Sequence, residues 1–145
     1  MGWLLNQRLD QMDKITKAAR SRNMAAVRST DTKPELEVRS KIHREGFRFR
    51  LHVRDLPGRP DLVFRSFRIV VFVHGCFWHG HYCPRGKMPQ TRREFWEKKL
   101  ESNKLRDQRN IESLESMGWD VFVLWECQLE VDTENLIEEL KSRRN

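Results

Sequence analysis

The spacing of hydrophobic positions changes several times along this chain, and each change marks an element. Leu36, Val38 and Ile42 recur as one face of a helix would. Thr32-Lys33-Pro34-Glu35 opens that helix as a capping box with proline in its first turn, and Gly46 stops it. Phe47 to Val53 alternates strictly, the pattern of a strand with one buried face. After the turn Leu56-Pro57-Gly58-Arg59-Pro60, Asp61 to Phe64 opens a second strand. Arg68 to Val73 is almost wholly apolar, which predicts a central strand covered on both faces. Thr91-Arg92-Arg93-Glu94 reads as a second capping box. It starts a long helix that carries Ile111, Leu114 and Met117 near its end and stops at Gly118. Trp119 to Trp125 is a fourth strand, and Asp132 or Thr133 is the expected cap of a last helix. The order is helix, three strands, helix, strand, helix: an α/β fold without repeats or linkers.

Composition then narrows the function. A length of 145 residues is one domain with room for a core, and 38% hydrophobic against 34% charged residues describes a soluble chain. No apolar run is long enough to span a bilayer, and Met1-Gly2-Trp3-Leu4-Leu5 is too short for a signal peptide. A net charge of +7 favours a polyanionic partner, most simply nucleic acid. The cysteines number three, so no complete disulfide set exists; a reducing cytoplasm, with thiolates free for metal, is the expectation. Residues 1–16 read as a flexible extension ahead of a domain over 17–145. Within the basic amino-terminal stretch, Arg20-Ser21-Arg22-Asn23-Met24 is the densest point, either an arm that orders on DNA or an ordinary frayed terminus.

Chemistry concentrates in His74-Gly75-Cys76-Phe77-Trp78-His79-Gly80-His81-Tyr82-Cys83. Cys76, His81, Cys83 and Cys127 make a Cys₃His set suited to structural zinc, closed to substrate because all four positions are protein ligands. The bland alternative, three small buried hydrophobes, leaves their shared end of two strands unexplained. His79 is then free to act as a general acid or base, and His74 to bond a water or phosphate; otherwise both are supports for the zinc loop. Asp61, following its turn, is either a self-capping aspartate or a ligand for Mg²⁺. Glu35 reads first as the capping-box acid. Phe77 and Trp78, consecutive on an irregular loop, are expected to be exposed and to wedge into or stack on bases. Trp96, Lys99 and Asn103 share a helix face that offers a ring, a cation and a base-reading amide, with ordinary core packing the alternative for Trp96; Phe95 points elsewhere as the better core residue.

Arg-Ser-Arg-Asn-Met (20–24), Pro-Gly-Arg-Pro-Asp (57–61), His-Gly-Cys-Phe-Trp-His (74–79) with His81 and Cys83, Thr-Arg-Arg-Glu-Phe-Trp (91–96) and Trp-Glu-Cys (125–127) occur in this order. In this the chain resembles the very short patch repair (Vsr) DNA mismatch endonucleases of bacteria, from about Lys17 to Leu140. The resemblance implies a restriction-endonuclease-like core with a mixed central sheet. It implies a Mg²⁺-dependent nick of one strand, 5′ of the thymine in T:G mismatches left by 5-methylcytosine deamination. By position, Asp61 falls on the catalytic metal carboxylate, His79 on the proton-transfer residue, His74 on its companion and Glu35 on an acid near the metal waters. Cys76, His81, Cys83 and Cys127 fall on a structural Zn²⁺ site. Phe77, Trp78 and Trp96 fall on the wedge, Met24 with Arg22 and Asn23 on the gripping arm, and Lys99 and Asn103 on positions facing the mismatch. Val73 departs from the family, where a hydroxyl residue can occur, and leaves only its carbonyl for a metal. A monomer on double-stranded DNA, associated with the nucleoid in the cytoplasm and with mismatch-repair proteins as further partners, completes the expectation. The rival readings are a non-catalytic zinc-containing DNA-binding module and a restriction-type enzyme that cuts paired DNA.

Overall fold

A computed structural model of the protein describes residues 31–144. The expected extension over 1–16 and the stretch Arg20–Met24, with its candidate contacts Arg22, Asn23 and Met24, lie outside the described residues. Helix α1 (Lys33–Arg44) begins as its sequence predicts. The Thr32 hydroxyl accepts from the Glu35 N–H at 3.4 Å, proline sits in the first turn, and Lys41, His43 and Arg44 stand near the carbonyl end. Val38 and Ile42 are buried, but Leu36 is exposed.

The expected strand over Phe47–Val53 does not form a ladder. Its alternation is real: Phe47 and Val53 are buried while Arg48, Arg50 and His52 face out. Yet only Arg50 pairs, exchanging two backbone bonds with Val63 at 2.9 and 3.0 Å. His52 adopts φ 56°, in the left-handed region, and this breaks the extended run a ladder needs.

Strands β1 (Leu62–Phe64), β2 (Ile69–His74) and β3 (Asp120–Trp125) instead make a three-stranded mixed sheet in that order, antiparallel then parallel. Helix α2 (Arg93–Ser116) lies between β2 and β3 in the chain, and helix α3 (Leu129–Arg144) follows β3. As predicted, β2 is central and covered on both faces. Leu62, Phe64, Ile69, Val71 and Leu124 pack with Val38 and Ile42 of α1 and Leu136, Ile137 and Leu140 of α3. Val63, Val70 and Phe72 pack on the other face with Leu114 of α2, Val53, Leu56 and Trp119.

Two helix starts differ from expectation. The N-cap of α2 is Arg92, left-handed at φ 56°, with no side-chain cap bond; its guanidinium lies 4.5 Å over the Phe95 ring. Thr91 is therefore one residue too early, and the second capping box does not form. Helix α3 starts before Asp132 and Thr133, which sit inside it. The Asp132 carboxylate reaches back to accept from the Trp125 N–H at 2.8 Å, and the Thr133 hydroxyl donates to the Leu129 carbonyl at 2.6 Å. Gly46 and Gly118 end the preceding helices with φ of 94° and 91°. Among the described residues no helix is long and apolar enough to cross a membrane. Parallel pairing sets His74 opposite Trp125, so the loops that follow β2 and β3 leave the same end of the sheet.

Candidate active site

Asp61 is fastened to β2 at two points. Its N–H donates to the Val71 carbonyl at 2.8 Å, and its Oδ2 accepts from the Val73 N–H at 2.6 Å. The carboxylate lines a cleft of about 580 Å³, together with Glu35, His74, His79, Lys99 and Asp107. Glu35 is buried there and serves two ends at once. It accepts from the Asp31 N–H and the Thr32 hydroxyl, each at 3.1 Å, as a cap acid does, and it pairs with Arg39 at 3.1 Å. Burial first, and then the charge of Glu35, push the Asp61 carboxyl up to about 7, because the Val73 N–H and Arg39 only partly offset them. Two hard oxygen donors in one cleft, with the charge of Glu35 acting on Asp61, fit a divalent cation such as Mg²⁺.

The two histidines are brought together. Their rings stack in parallel, 3.6 Å apart at 0°. His74 is buried against Trp125, and its Nδ1 has no partner among the described residues. Burial first, and then the charge of His79, lower its pKa to about 3 against the opposing charge of Asp107, so His74 is neutral at working pH. His79 Nδ1 meets Asp107 Oδ2 at 2.5 Å, which assigns the proton to Nδ1 and leaves Nε2 as an acceptor. Burial alone would raise Asp107, but the hydrogen bond and charge of His79 outweigh it and hold the carboxyl below its usual range. Asp107 was not among the residues expected from sequence. Its one sign was position, four residues past Asn103 on the face shared with Trp96 and Lys99. His74, His79 and Asp107 lie close enough to hold a metal. With the rings parallel, however, their lone pairs run side by side, and Asp107 already takes the His79 proton; a proton relay suits them better.

Beyond the histidines, one ligand atom from each of Cys76, His81, Cys83 and Cys127 lies within 4.8 Å of the other three. Cys127 Sγ is 3.4 Å from His81 Nδ1, and the His81 ring stacks on Trp125 at 4.0 Å. Zinc bonds to sulfur and nitrogen imply ligand-to-ligand edges of roughly 3.3–3.8 Å, so a tetrahedral ion fits this set. Burial raises the Cys76 and Cys127 thiols; a cation among them would reverse that.

The aromatics are placed differently from expectation. Phe77 is fully buried, and Trp78 and Trp96 are 8% and 9% exposed; the three rings meet edge-on at 5.1–5.8 Å with Leu100 behind them. The loop makes this possible by coiling. His79, Gly80 and His81 N–H groups donate to the Gly75, Phe77 and Cys76 carbonyls, so consecutive side chains can turn to one side. Phe95, the expected core residue, is 45% exposed. Asn103 is buried with its amide engaged: Nδ2 donates to the Trp78 carbonyl at 2.9 Å, and Oδ1 accepts from Arg106 at 3.1 Å. It props the aromatic loop and is not free to read a base in this state. Lys99 is exposed at the cleft.

Residues 12–85, which include Glu35, Asp61 and the whole His/Cys loop, match the family described as DNA mismatch endonuclease Vsr. The chain belongs to the Vsr family. A type II nicking enzyme, V.XorIIP of Xanthomonas oryzae pv. oryzae, is 51% identical over 117 residues, covering 81% of this chain and 86% of that protein. The DNA mismatch endonuclease Vsr of Escherichia coli K12 is 44% identical over 132 residues, covering 91% and 84%. The type II nicking enzyme V.NmeAIP of Neisseria meningitidis is 42% identical over 117 residues, covering 81% and 84%. As a member of the Vsr family this protein is a DNA endonuclease.

Proposed function

We propose that the protein is a Mg²⁺-dependent mismatch endonuclease that nicks one strand of DNA on the 5′ side of the thymine in a T:G mismatch. One observation carries the reading: the Asp61–Glu35 carboxylates and the His79–Asp107 pair open onto a single cleft in a chain that resembles both a mismatch endonuclease and nicking enzymes. Asp61, with Glu35 beside it, holds Mg²⁺. Bound Mg²⁺ supplies Lewis-acid activation of the attacking water and charge neutralisation at the scissile phosphate. His79 accepts the proton at Nε2, and Asp107 fixes the ring and stabilises its cationic form. Neutral His74 covers one face of His79 and keeps it aimed into the cleft.

Cys76, His81, Cys83 and Cys127 hold structural Zn²⁺ and so fix the loop that carries His79. Trp78 and Trp96, with Phe77 behind them, form the wedge that enters the duplex, already desolvated as one cluster. Lys99 faces the mismatch, with Met24, Arg22 and Asn23 on the arm outside the described residues. The sheet and its helices are the restriction-endonuclease-like core of a domain over 17–145. A nicking assay on an end-labelled T:G duplex tests this, with and without Mg²⁺, beside a fully paired duplex of the same sequence. The expected product is a single nick 5′ of the thymine that requires Mg²⁺. Cutting of both strands, or equal cutting of the paired control, overturns the reading.

A further inference from the structure

The rim of the cleft carries a cation that no described residue engages. Arg59, Arg68 and Arg92 all adopt left-handed backbone, with φ of 50°, 56° and 56°. For a residue with a Cβ this conformation is strained. Arg68 and Arg92 have local partners: Arg68 donates to the Met117 carbonyl at 2.7 Å and lies over Trp119, and Arg92 lies over Phe95. The Arg59 guanidinium has no hydrogen bond, ion pair or ring contact among the described residues. Its turn is nonetheless tightly made. Pro57 and Pro60 bracket it, and the Arg59 N–H donates to the Leu56 carbonyl at 3.2 Å. Gly58 has φ 75°, and a Cβ there would come within 3.0 Å of Asn110 on α2. The turn is thus pressed against α2, and it holds a guanidinium without a partner among the described residues on the cleft lining, two residues before Asp61. Carboxylates of Asp61, Glu35, Asp107 and Glu126 line the same cleft and repel a polyanion. The other lining cations, Lys99 and Arg106, stand on the α2 wall, and Arg106 is already bonded to Asn103. Among the described residues, Arg59 is the lining cation on the Asp61 side.

We propose that Arg59 grips a backbone phosphate of the strand being cut, beside the one Asp61 faces, and so sets the register of the duplex in the cleft. This rests on the endonuclease reading of that cleft. A guanidinium presents parallel N–H groups that match two phosphate oxygens, and a phosphate contact positions DNA without reading its sequence. The test uses Arg59→Gly, which relieves the backbone strain, and Arg59→Lys, which keeps the charge without the fork. Melting temperature is measured, along with affinity for a T:G duplex and a paired duplex across a salt series without Mg²⁺. Arg59→Gly is expected to keep or raise the melting temperature and to weaken both duplexes by a similar factor, about tenfold. The slope of log affinity against log salt should fall by about one. Arg59→Lys should keep the slope and recover part of the affinity. Unchanged affinity and slope, an altered T:G-to-paired ratio at constant slope, or a lowered melting temperature in Arg59→Gly each overturns the proposal. Wild-type protein that binds with this slope yet leaves T:G duplex uncut would sink the proposed function and leave the phosphate grip standing.

Discussion

At neutral pH the carboxyl of Asp61 sits near its own midpoint of about 7, because burial and Glu35 both favour the protonated form over the ordinary value of 3.8. Between about 4 and 7 the folded protein therefore holds a proton that the unfolded chain has released, and Asp61 makes stability fall as pH rises through that window. His74 acts in the opposite sense. Its value is pushed from 6.5 to about 3, so its contribution is lost as pH falls below 6.5. In Mg²⁺-free buffer, Asp61→Asn should become progressively more stable than the wild type from pH 4 to 7 and level off above. It should abolish nicking and leave DNA binding nearly intact; paired thermal melts across pH and a nicking assay check this. Asp107→Asn should keep the fold but lower the nicking rate by about a hundredfold or more, since His79 loses both its tautomer and its counter-charge. A rate within twofold of wild type would remove Asp107 from the relay. Asp107 was hard to read from sequence because it is one of many charged residues along α2. Only contact with a residue 28 positions earlier distinguishes it.

Elements built on local rules were legible: α1 with its Thr32 cap, the apolar β2, and the glycine stops of α1 and α2. What escaped was decided by neighbours in space. Alternation over Phe47–Val53 reported which side chains are buried, but one left-handed residue, His52, was enough to stop the ladder. Phe77 and Trp78 looked exposed because a loop has no periodicity to read, whereas backbone bonds inside the loop turn both rings inward. Phe95, expected in the core, is exposed, while Trp96, which the sequence left open between a stacking ring and core packing, packs with Phe77, Trp78 and Leu100. Trp96→Ala should accordingly cost about 3 kcal/mol or more and Phe95→Ala far less, as denaturant unfolding would measure. The Cys/His loop was the most legible element, because four metal-binding side chains converge from two strand ends. Removal of zinc, or Cys83→Ser, should lower the melting temperature by several degrees and shorten the life of the native loop to proteases. An unchanged melt after verified zinc loss would count against a structural ion.

For the molecule as a whole, the sheet separates two jobs. One face, with Leu136, Ile137 and Leu140 of α3 against β2 and Leu124, is an apolar core that does not line the cleft. Leu136→Ala should destabilise by about 2–5 kcal/mol, yet leave the nicking rate per folded molecule unchanged at low temperature. A matching loss of rate would mean that the two faces are coupled. The cleft is assembled from α1, the turn before β1, the end of β2 and α2, and among the described strands β2 pairs in parallel only with β3. During synthesis, then, Asp61 and both histidines leave the ribosome well before the helix and strand that align them. On the proposed assignment the cleft is therefore complete only once α2, which carries Asp107, and β3, which pairs with β2, have docked.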